Sequence, residues 1–151
     1  MAARAARAPL RDITHPGGCH CGNLRYALHT ALALEALPLR ACQCAFCRLH
    51  GARSTSDPAG RIAFELRDPA LLARYRFGLR TADFLICLKC GVYVGATMRE
   101  GDARFAIVNA NTLDQVAALT QDAQPMDYEG EDAARRGARR RARWSPADGI
   151  D

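Results

Sequence analysis

The stretch Gly18-Cys19-His20-Cys21-Gly22-Asn23-Leu24-Arg25-Tyr26 places two thiols two residues apart between glycines, and then begins to alternate apolar and polar side chains. Glycine beside the thiols suits a tight turn, because it adopts backbone conformations that other residues avoid. The alternation that starts at Leu24 and continues to Leu28 predicts a half-buried strand. We therefore expect a thiol-bearing turn that leads into a strand.

The cysteines form the strongest pattern in the sequence. Seven cysteines fall into the clusters Cys19-x-Cys21, Cys42-x-Cys44-x-x-Cys47 and Cys87-x-x-Cys90. An odd number of cysteines without a secretory signal argues against a disulfide framework, because one thiol would be left over. Metal ligation accounts better for the pattern. Since a structural zinc ion takes four tetrahedral ligands, seven thiolates divide as four plus three.

The two outer pairs predict a closed structural zinc site. Each pair is followed by a glycine, so that the backbone can turn sharply around one ion. Such a site would tie residue 19 to residue 90, and its binding free energy would be largely folding free energy. Loss of one ligand should then unfold the domain. The predicted ligands are Cys19, Cys21, Cys87 and Cys90.

The middle cluster predicts a second zinc site of a different kind. Three protein ligands with an open fourth position are typical of catalytic zinc. His50, His20 or a water molecule is the alternative fourth ligand, and an iron-sulfur cluster is a further alternative cofactor. His15 and His29 have no ligand partner nearby in sequence and are expected to be ordinary core or surface residues. The candidate catalytic ligands are Cys42, Cys44 and Cys47.

Hydrophobic periodicity predicts a mainly β fold with short helices. Period-two alternation recurs around Leu24–Leu28, Ile62–Leu66, Phe84–Ile86 and Phe105–Ile107. Short helices are expected over 31–37 and 69–75, the second with Asp68 as its N-cap and Pro69 as its first residue. Residues 51–60 are small and polar, and they predict a loop next to the middle cysteines.

The remaining sequence predicts one domain with two appendages. We expect a flexible N-terminal arm over 1–16, a zinc domain over 17–128 and an Arg-rich C-terminal tail over 129–151, in which 133–143 is either a solvated basic helix or disordered. Apolar residues make up 49% and charged residues 25%, which is typical of globular domains and unlike disordered chains.

The composition also bears on partners and location. No apolar run approaches the roughly 20 residues that cross a bilayer, and residues 1–9 lack the apolar core of a secretory signal, so we expect a cytoplasmic protein without a membrane partner. The net charge of +5 comes largely from arginines clustered near one end. We therefore do not expect a nucleic-acid partner, and the oligomeric state stays open.

The ordered motifs carry a family resemblance. The segment 18–26, then Cys42-Gln43-Cys44-Ala45-Phe46-Cys47-Arg48, Ile86-Cys87-Leu88-Lys89-Cys90-Gly91 and Thr112-Leu113-Asp114, resembles the glutathione-dependent formaldehyde-activating enzyme family, also called the GFA or CENP-V-like domain. The resemblance covers about residues 17–115. It implies an Mss4-like zinc-bound β-sheet domain with the outer pairs on a structural zinc and the middle cluster on a catalytic zinc, hence two Zn²⁺ per chain.

The resemblance also implies an activity. Members of the family are described as carbon-sulfur lyases that join formaldehyde and glutathione into S-(hydroxymethyl)glutathione. It therefore implies a zinc-dependent lyase that acts on a thiol, such as glutathione, and its adduct with formaldehyde or another small aldehyde. The alternative is a non-catalytic, zinc-stabilised binding module with a basic tail.

Three positions depart from the family's pattern. Gln43 stands where histidine is usual, Ile86 where phenylalanine is common, and Val92 where a small hydroxyl residue is frequent. Gln43 either donates a hydrogen bond to a thiolate or points to solvent. Arg48 either pairs with a substrate carboxylate through its bidentate fork or is solvated. Gln43 and Arg48 are therefore the candidate cofactor-binding residues.

Overall fold

The strands dominate the architecture. The structure is a computed structural model that describes residues 12–151. Eleven strands pair into one branched sheet. In chain order they are β1 Ile13–Gly18, β2 Leu24–Thr30, β3 Arg40–Cys42, β4 Ser54–Thr55, β5 Arg61–Leu66, β6 Leu72–Tyr75, β7 Asp83–Cys87, β8 Tyr93–Glu100, β9 Ala103–Asn109, β10 Gln124–Met126 and β11 Ser145–Asp148.

The helices are few and short, so the prediction of a mainly β fold is confirmed. Two α-helices are present in the described residues, α1 Ala45–His50 and α2 Ala133–Arg143. Single 3-10 turns cover Leu34–Ala36, Pro69–Leu71, Ala110–Thr112 and Val116–Ala118. None of the helices within residues 12–151 is long and apolar enough to cross a lipid bilayer.

The sheet consists of two antiparallel groups that are joined by β11. Strands β1, β2 and β5 form the first group, and β6 to β9 form the second. β11 pairs in parallel with β5 and antiparallel with β9. The short strands β4, β3 and β10 continue from the same edge of β9. The two outer cysteine pairs lie on different groups, so a metal ion bound between them would link both groups.

The core lies against the alternating faces that the sequence predicts. In β2 every second residue is buried from Leu24 to Thr30, and Leu24 and Leu28 are fully enclosed. Ile62 of β5 and Val108 of β9 are enclosed in the same cluster. Each enclosed aliphatic side chain contributes about 1.5–3 kcal/mol to folding. Period-two patterning therefore places these strands on the core.

The first expected helix, over 31–37, is wrong in extent, because only Leu34–Ala36 forms a 3-10 turn. Leu37 has extended backbone angles with φ −64° and ψ 134°. It precedes Pro38, and a residue before proline is disfavoured in the helical conformation.

The second expected helix, over 69–75, is also wrong beyond its first turn. Asp68 does cap it, since its carboxylate accepts from the amide of Ala70 at 3.0 Å. The chain then continues as β6, where Leu72 lies opposite Cys87 of β7. Pairing with β7 gives the backbone N–H and C=O groups of β6 their hydrogen-bond partners. Local helix signals cannot anticipate this long-range pairing.

The expected domain limits also shift. β1 begins at Ile13, and Pro16 pairs with Ala27, so part of the expected 1–16 arm belongs to the sheet. Residues 1–11 lie outside the described residues. The segment 129–151 is not a tail, because it contains α2 and the strand that joins the two groups. Ser54–Thr55, inside the expected loop, pairs with β3 and β9.

Candidate functional site

The four outer cysteines converge as predicted. Their sulfur atoms all lie within 4.8 Å of one another. The Sγ atom of Cys21 is 3.7 Å from that of Cys19 and 3.6 Å from that of Cys87. A tetrahedral zinc ion with Zn–S bonds of about 2.3 Å requires sulfur-sulfur edges of about 3.8 Å. These donors therefore fit one zinc ion without rearrangement.

Backbone hydrogen bonds shape both outer turns. The amide of Cys19 donates to the carbonyl of Leu24 at 2.9 Å, and the amide of Leu24 donates to the Cys19 sulfur at 3.3 Å. The second turn closes through the amide of Cys87, which donates to the carbonyl of Val92 at 3.0 Å. Although burial opposes ionisation, backbone hydrogen bonds lower the pKa of Cys90 to about 6. The thiolate is thus favoured at Cys90, whereas burial raises the pKa of Cys87 to about 11.

The middle cysteines also converge, and their three sulfur atoms lie within 4.8 Å of one another. Cys42 ends β3, Cys44 is the N-cap of α1, and Cys47 lies in the first turn of that helix. The amide of Cys47 donates to the Cys44 sulfur at 3.4 Å. A strand end and a helix start therefore deliver three thiols to one point, which we call the cysteine triad.

Hydrogen bonding within the triad favours a thiolate at one of its cysteines. A hydrogen bond from Cys47 lowers the pKa of Cys42 to about 6, against the opposing effect of burial. The same hydrogen bond, together with burial, raises the pKa of Cys47. The first proton is thus lost easily, and a cation is the natural partner for the remaining thiols.

The histidine alternatives for a fourth ligand do not match the observed placement. Within residues 12–151, neither His50 nor His20 joins the sulfur group. The ring of His50 instead packs on Phe46, with centroids 4.5 Å apart, and lies 5.4 Å from Tyr93. A metal ion on the triad therefore has three protein ligands from the described part of the chain.

A cavity of about 490 Å³ opens beside the triad. That volume lies within the range of small-molecule sites. One wall is aromatic, with Phe77 stacked on Phe46 at 5.1 Å and packed on Phe84 at 4.6 Å. A second part of the lining comes from β3 and from the segment beyond residue 127. Its residues are Arg40, Tyr128, Glu129, Arg136, Arg139, Arg140 and Trp144.

The sequence matches a known family over most of its length. The family described as glutathione-dependent formaldehyde-activating enzyme matches residues 14–128, which contain all seven cysteines. The chain belongs to this family. A crystal structure of a Rhodobacter sphaeroides protein supports the fold: it is 24% identical, with a TM-score of 0.55, and the match covers 74% of this chain and 99% of that one.

The two candidate binding residues of this formaldehyde-activating family member both line the cavity. The side-chain amide of Gln43 donates to the carbonyl of Ala41 at 2.8 Å, so it points along the backbone and not toward a sulfur atom. Arg48 donates through Nε to the carbonyl of Gln43 at 3.0 Å. Their substrate contacts stay predictions.

Sequence reasoning missed the wall that α2 contributes, and this wall lies beyond the family match. The signal was the spacing of Arg136, Arg140 and Trp144, which places them on one helix face. The arginines that were predicted to form a basic tail belong to a helix of the fold, and the alternative of a non-catalytic binding module stays a prediction. Arg139 is 2.9 Å from Glu131, and Arg141 is 2.7 Å from Glu100, so these arginines are engaged within the fold.

Proposed function

We propose that this protein is a zinc-dependent carbon-sulfur lyase that makes or breaks the adduct of a glutathione-like thiol with formaldehyde or another small aldehyde. One observation carries the proposal. Within residues 12–151 the triad has no fourth protein donor, and it borders a cavity large enough for a small thiol. Three thiolates beside an open space are typical of catalytic zinc.

The two groups of donors would hold different ions. Cys42, Cys44 and Cys47 would hold the catalytic zinc, and the four outer cysteines would hold the structural one, giving two per chain. When bound, the catalytic ion lowers the pKa of a thiol that reaches its open position, or polarises an aldehyde oxygen.

The chain's own side chains bind and enclose the reactants. Phe46, Phe77 and Phe84 keep water from one side of the cavity. Arg48 binds a carboxylate of the thiol substrate, and Gln43 contacts its polar groups. In the reaction the sulfur forms a bond to the carbonyl carbon, the carbonyl π pair moves to oxygen, and the oxygen takes the proton that the thiol loses. The reverse step breaks the same bond.

The test measures exchange between free and adducted formaldehyde by NMR in the presence of glutathione. Formaldehyde adds to thiols spontaneously, so the exchange rate must exceed that of the buffer. We expect Cys47→Ser to return the rate to the buffer value, because it removes one triad ligand and leaves the outer site. Leu49→Ala is the matched control, since Leu49 is on the same helix and 87% exposed. Equal rates in native protein and buffer refute the proposal.

A further inference from the structure

Two guanidinium groups on the cavity wall have no carboxylate partner in the described part of the chain. Arg140 of α2 is 7% exposed, donates to the Thr81 hydroxyl at 2.8 Å, and has a buried Nε without a hydrogen-bond partner. Arg40 of β3 donates to the Ser56 hydroxyl at 3.1 Å. Residues 1–11 contain no Asp or Glu that could pair with either. Neither guanidinium group therefore has a direct ion-pair partner within residues 12–151.

This arrangement is unfavourable for the protein by itself. Burial lowers the pKa of Arg140 to about 10 and lowers that of Arg40 as well. Proteins normally pair a buried charge, because taking it out of water unpaired is costly. The same helix does so elsewhere: Arg136 and Arg139 also line the cavity, and both pair with Glu131, at 3.4 and 2.9 Å. Arg140 differs from both.

The two charges lie on the same cavity as the triad. Arg40 and Cys42 are two residues apart on β3, so both project from the same face of the strand. Arg140 lies on α2, and its guanidinium is 4.8 Å from the centre of the Trp144 ring. Because the triad and both guanidinium groups line one cavity, a bound molecule can contact a sulfur atom and these guanidinium groups together.

We propose that Arg40 and Arg140 form an oxyanion subsite that selects substrates with a carboxylate or phosphate on the same molecule as the reacting sulfur. The proposal rests on the proposed function in taking a thiol as the reacting group. Guanidinium forks hold either oxyanion through paired, charge-assisted hydrogen bonds. Arg140 lies outside residues 14–128, so this selectivity comes from a part of the chain that the family match does not cover.

Trp144 is the single tryptophan and packs on Arg140, so its fluorescence reports occupancy of the subsite. The zinc-loaded protein is titrated with 3-mercaptopropionate, neutral 2-mercaptoethanol and cationic cysteamine, with affinities from calorimetry. We expect 3-mercaptopropionate to bind about tenfold or more tightly than 2-mercaptoethanol, and to change the tryptophan emission. Propionate and inorganic phosphate, as sulfur-free competitors, distinguish carboxylate from phosphate selection.

Variants decide which residues are responsible. Arg40→Gln and Arg140→Gln should each abolish most of the preference while leaving the affinity for 2-mercaptoethanol unchanged. Arg141→Gln is the matched control and should keep the preference, because Arg141 is exposed and pairs with Glu100. If Arg140→Gln does not fold, Arg40→Gln decides alone.

Equal affinity of the native protein for anionic and neutral thiols overturns the subsite, as does an unchanged preference in the folded Arg40→Gln and Arg140→Gln variants. Failure of the lyase proposal looks different. In that case the exchange rate equals the buffer value, while the preference for the anionic thiol and the tryptophan response persist. Catalysed exchange without any preference leaves the lyase proposal standing and refutes the subsite.

Discussion

At the scale of single residues, Tyr93 beside the triad combines a buried side chain with an unpaired hydroxyl group. It is 2% exposed and packs with Cys47 and Ala52. Its hydroxyl has no hydrogen-bond partner in the described structure. Burial, and then the nearby Cys47 sulfur, raise the pKa of Tyr93 well above its ordinary value. The phenol therefore stays neutral, and its unpaired oxygen is a cost to folding.

We expect Tyr93→Phe to leave stability unchanged or to raise it by about 1 kcal/mol, because it removes a buried polar atom that has no partner. The matched control is Tyr26→Phe. Tyr26 is 3% exposed, but its hydroxyl bonds to the Thr112 hydroxyl at 2.9 Å, so this variant should lose about 1 kcal/mol. Urea unfolding measures both. A clear loss of stability in Tyr93→Phe would mean that the hydroxyl gains a partner in the zinc-loaded protein.

At the scale of elements, Glu131 ties α2 to the segment that precedes it. Its carboxylate accepts from Arg139 at 2.9 Å and from Arg136 at 3.4 Å. Arg139 in turn stacks on Tyr128, 3.5 Å from the ring centre. The hydrogen bond from Arg139 is the main cause that lowers the pKa of Glu131 below its ordinary 4.5. This clamp lies within residues 128–139 and weakens when Glu131 is protonated.

Because the pKa of Glu131 is lower in the folded state, its contribution is complete above pH 4.5 and is lost as the pH falls through the folded-state value. We expect native protein to be more stable than Glu131→Gln by about 1 kcal/mol or less at pH 7, since solvent screens the pair. That difference should disappear in acid. Thermal unfolding from pH 7 to 3 measures it, with Glu129→Gln as control. A difference that persists at pH 3 would contradict the ionic role.

The close packing of β11 beside β5 depends on Gly149, the glycine that follows the strand. Gly149 has φ +81°, and a Cβ atom there would collide with the backbone of Phe64 in β5. We expect Gly149→Ala to destabilise the protein by about 3 kcal/mol or more, since left-handed strain and a backbone clash add.

Gly130→Ala is the matched control for this prediction. Gly130 has a similar φ of +88°, but its added Cβ would meet open space. The loss should then be about 1 kcal/mol, from backbone strain alone. Equal losses in both variants, measured by urea unfolding, would show that β11 does not hold its place against β5.

At the scale of the whole molecule, the outer cysteine site joins the two antiparallel groups of the sheet. We expect chelation of zinc under reducing conditions to abolish cooperative unfolding, and Cys87→Ser to do the same, because the site's binding free energy contributes directly to folding. Cys47→Ser should keep the cooperative transition and hold about one zinc ion in place of two. Circular dichroism and metal analysis check this. A folded, cooperative Cys87→Ser would refute the structural role.

The cysteine partition was predictable from the sequence because ligand number and spacing restrict the choices. Two close pairs supply a tetrahedral set, and the remaining three thiols share one short segment, which is how the structure groups them. The strands of the core were predictable for a similar reason. Alternation at Leu24, Tyr26 and Leu28 is a local property, and it survives in the fold.

The cavity wall and β11 were not predictable because they depend on pairing between distant segments. Ser145–Asp148 contains a proline and no apolar alternation, which argues against a strand between two others. Pro146 lies opposite Phe105 of β9, and pairing with β5 starts only at Ala147. The ladder with β5 therefore does not require the amide hydrogen that proline lacks. Likewise, the spacing of Arg136, Arg140 and Trp144 places them on one helix face, but nothing local indicates that this face borders the cavity.

The position of β11 in the chain also sets the order in which the nascent polypeptide can assemble. All seven cysteines are present once residue 90 has been made, whereas the seam between β5 and β9 closes only after residue 148. The roughly 60 residues between these points take several seconds to translate, at about 5–20 residues per second. Newly made chains therefore present both groups of thiols before α2 and β11 exist, so a metal ion would be able to bind before the cavity closes.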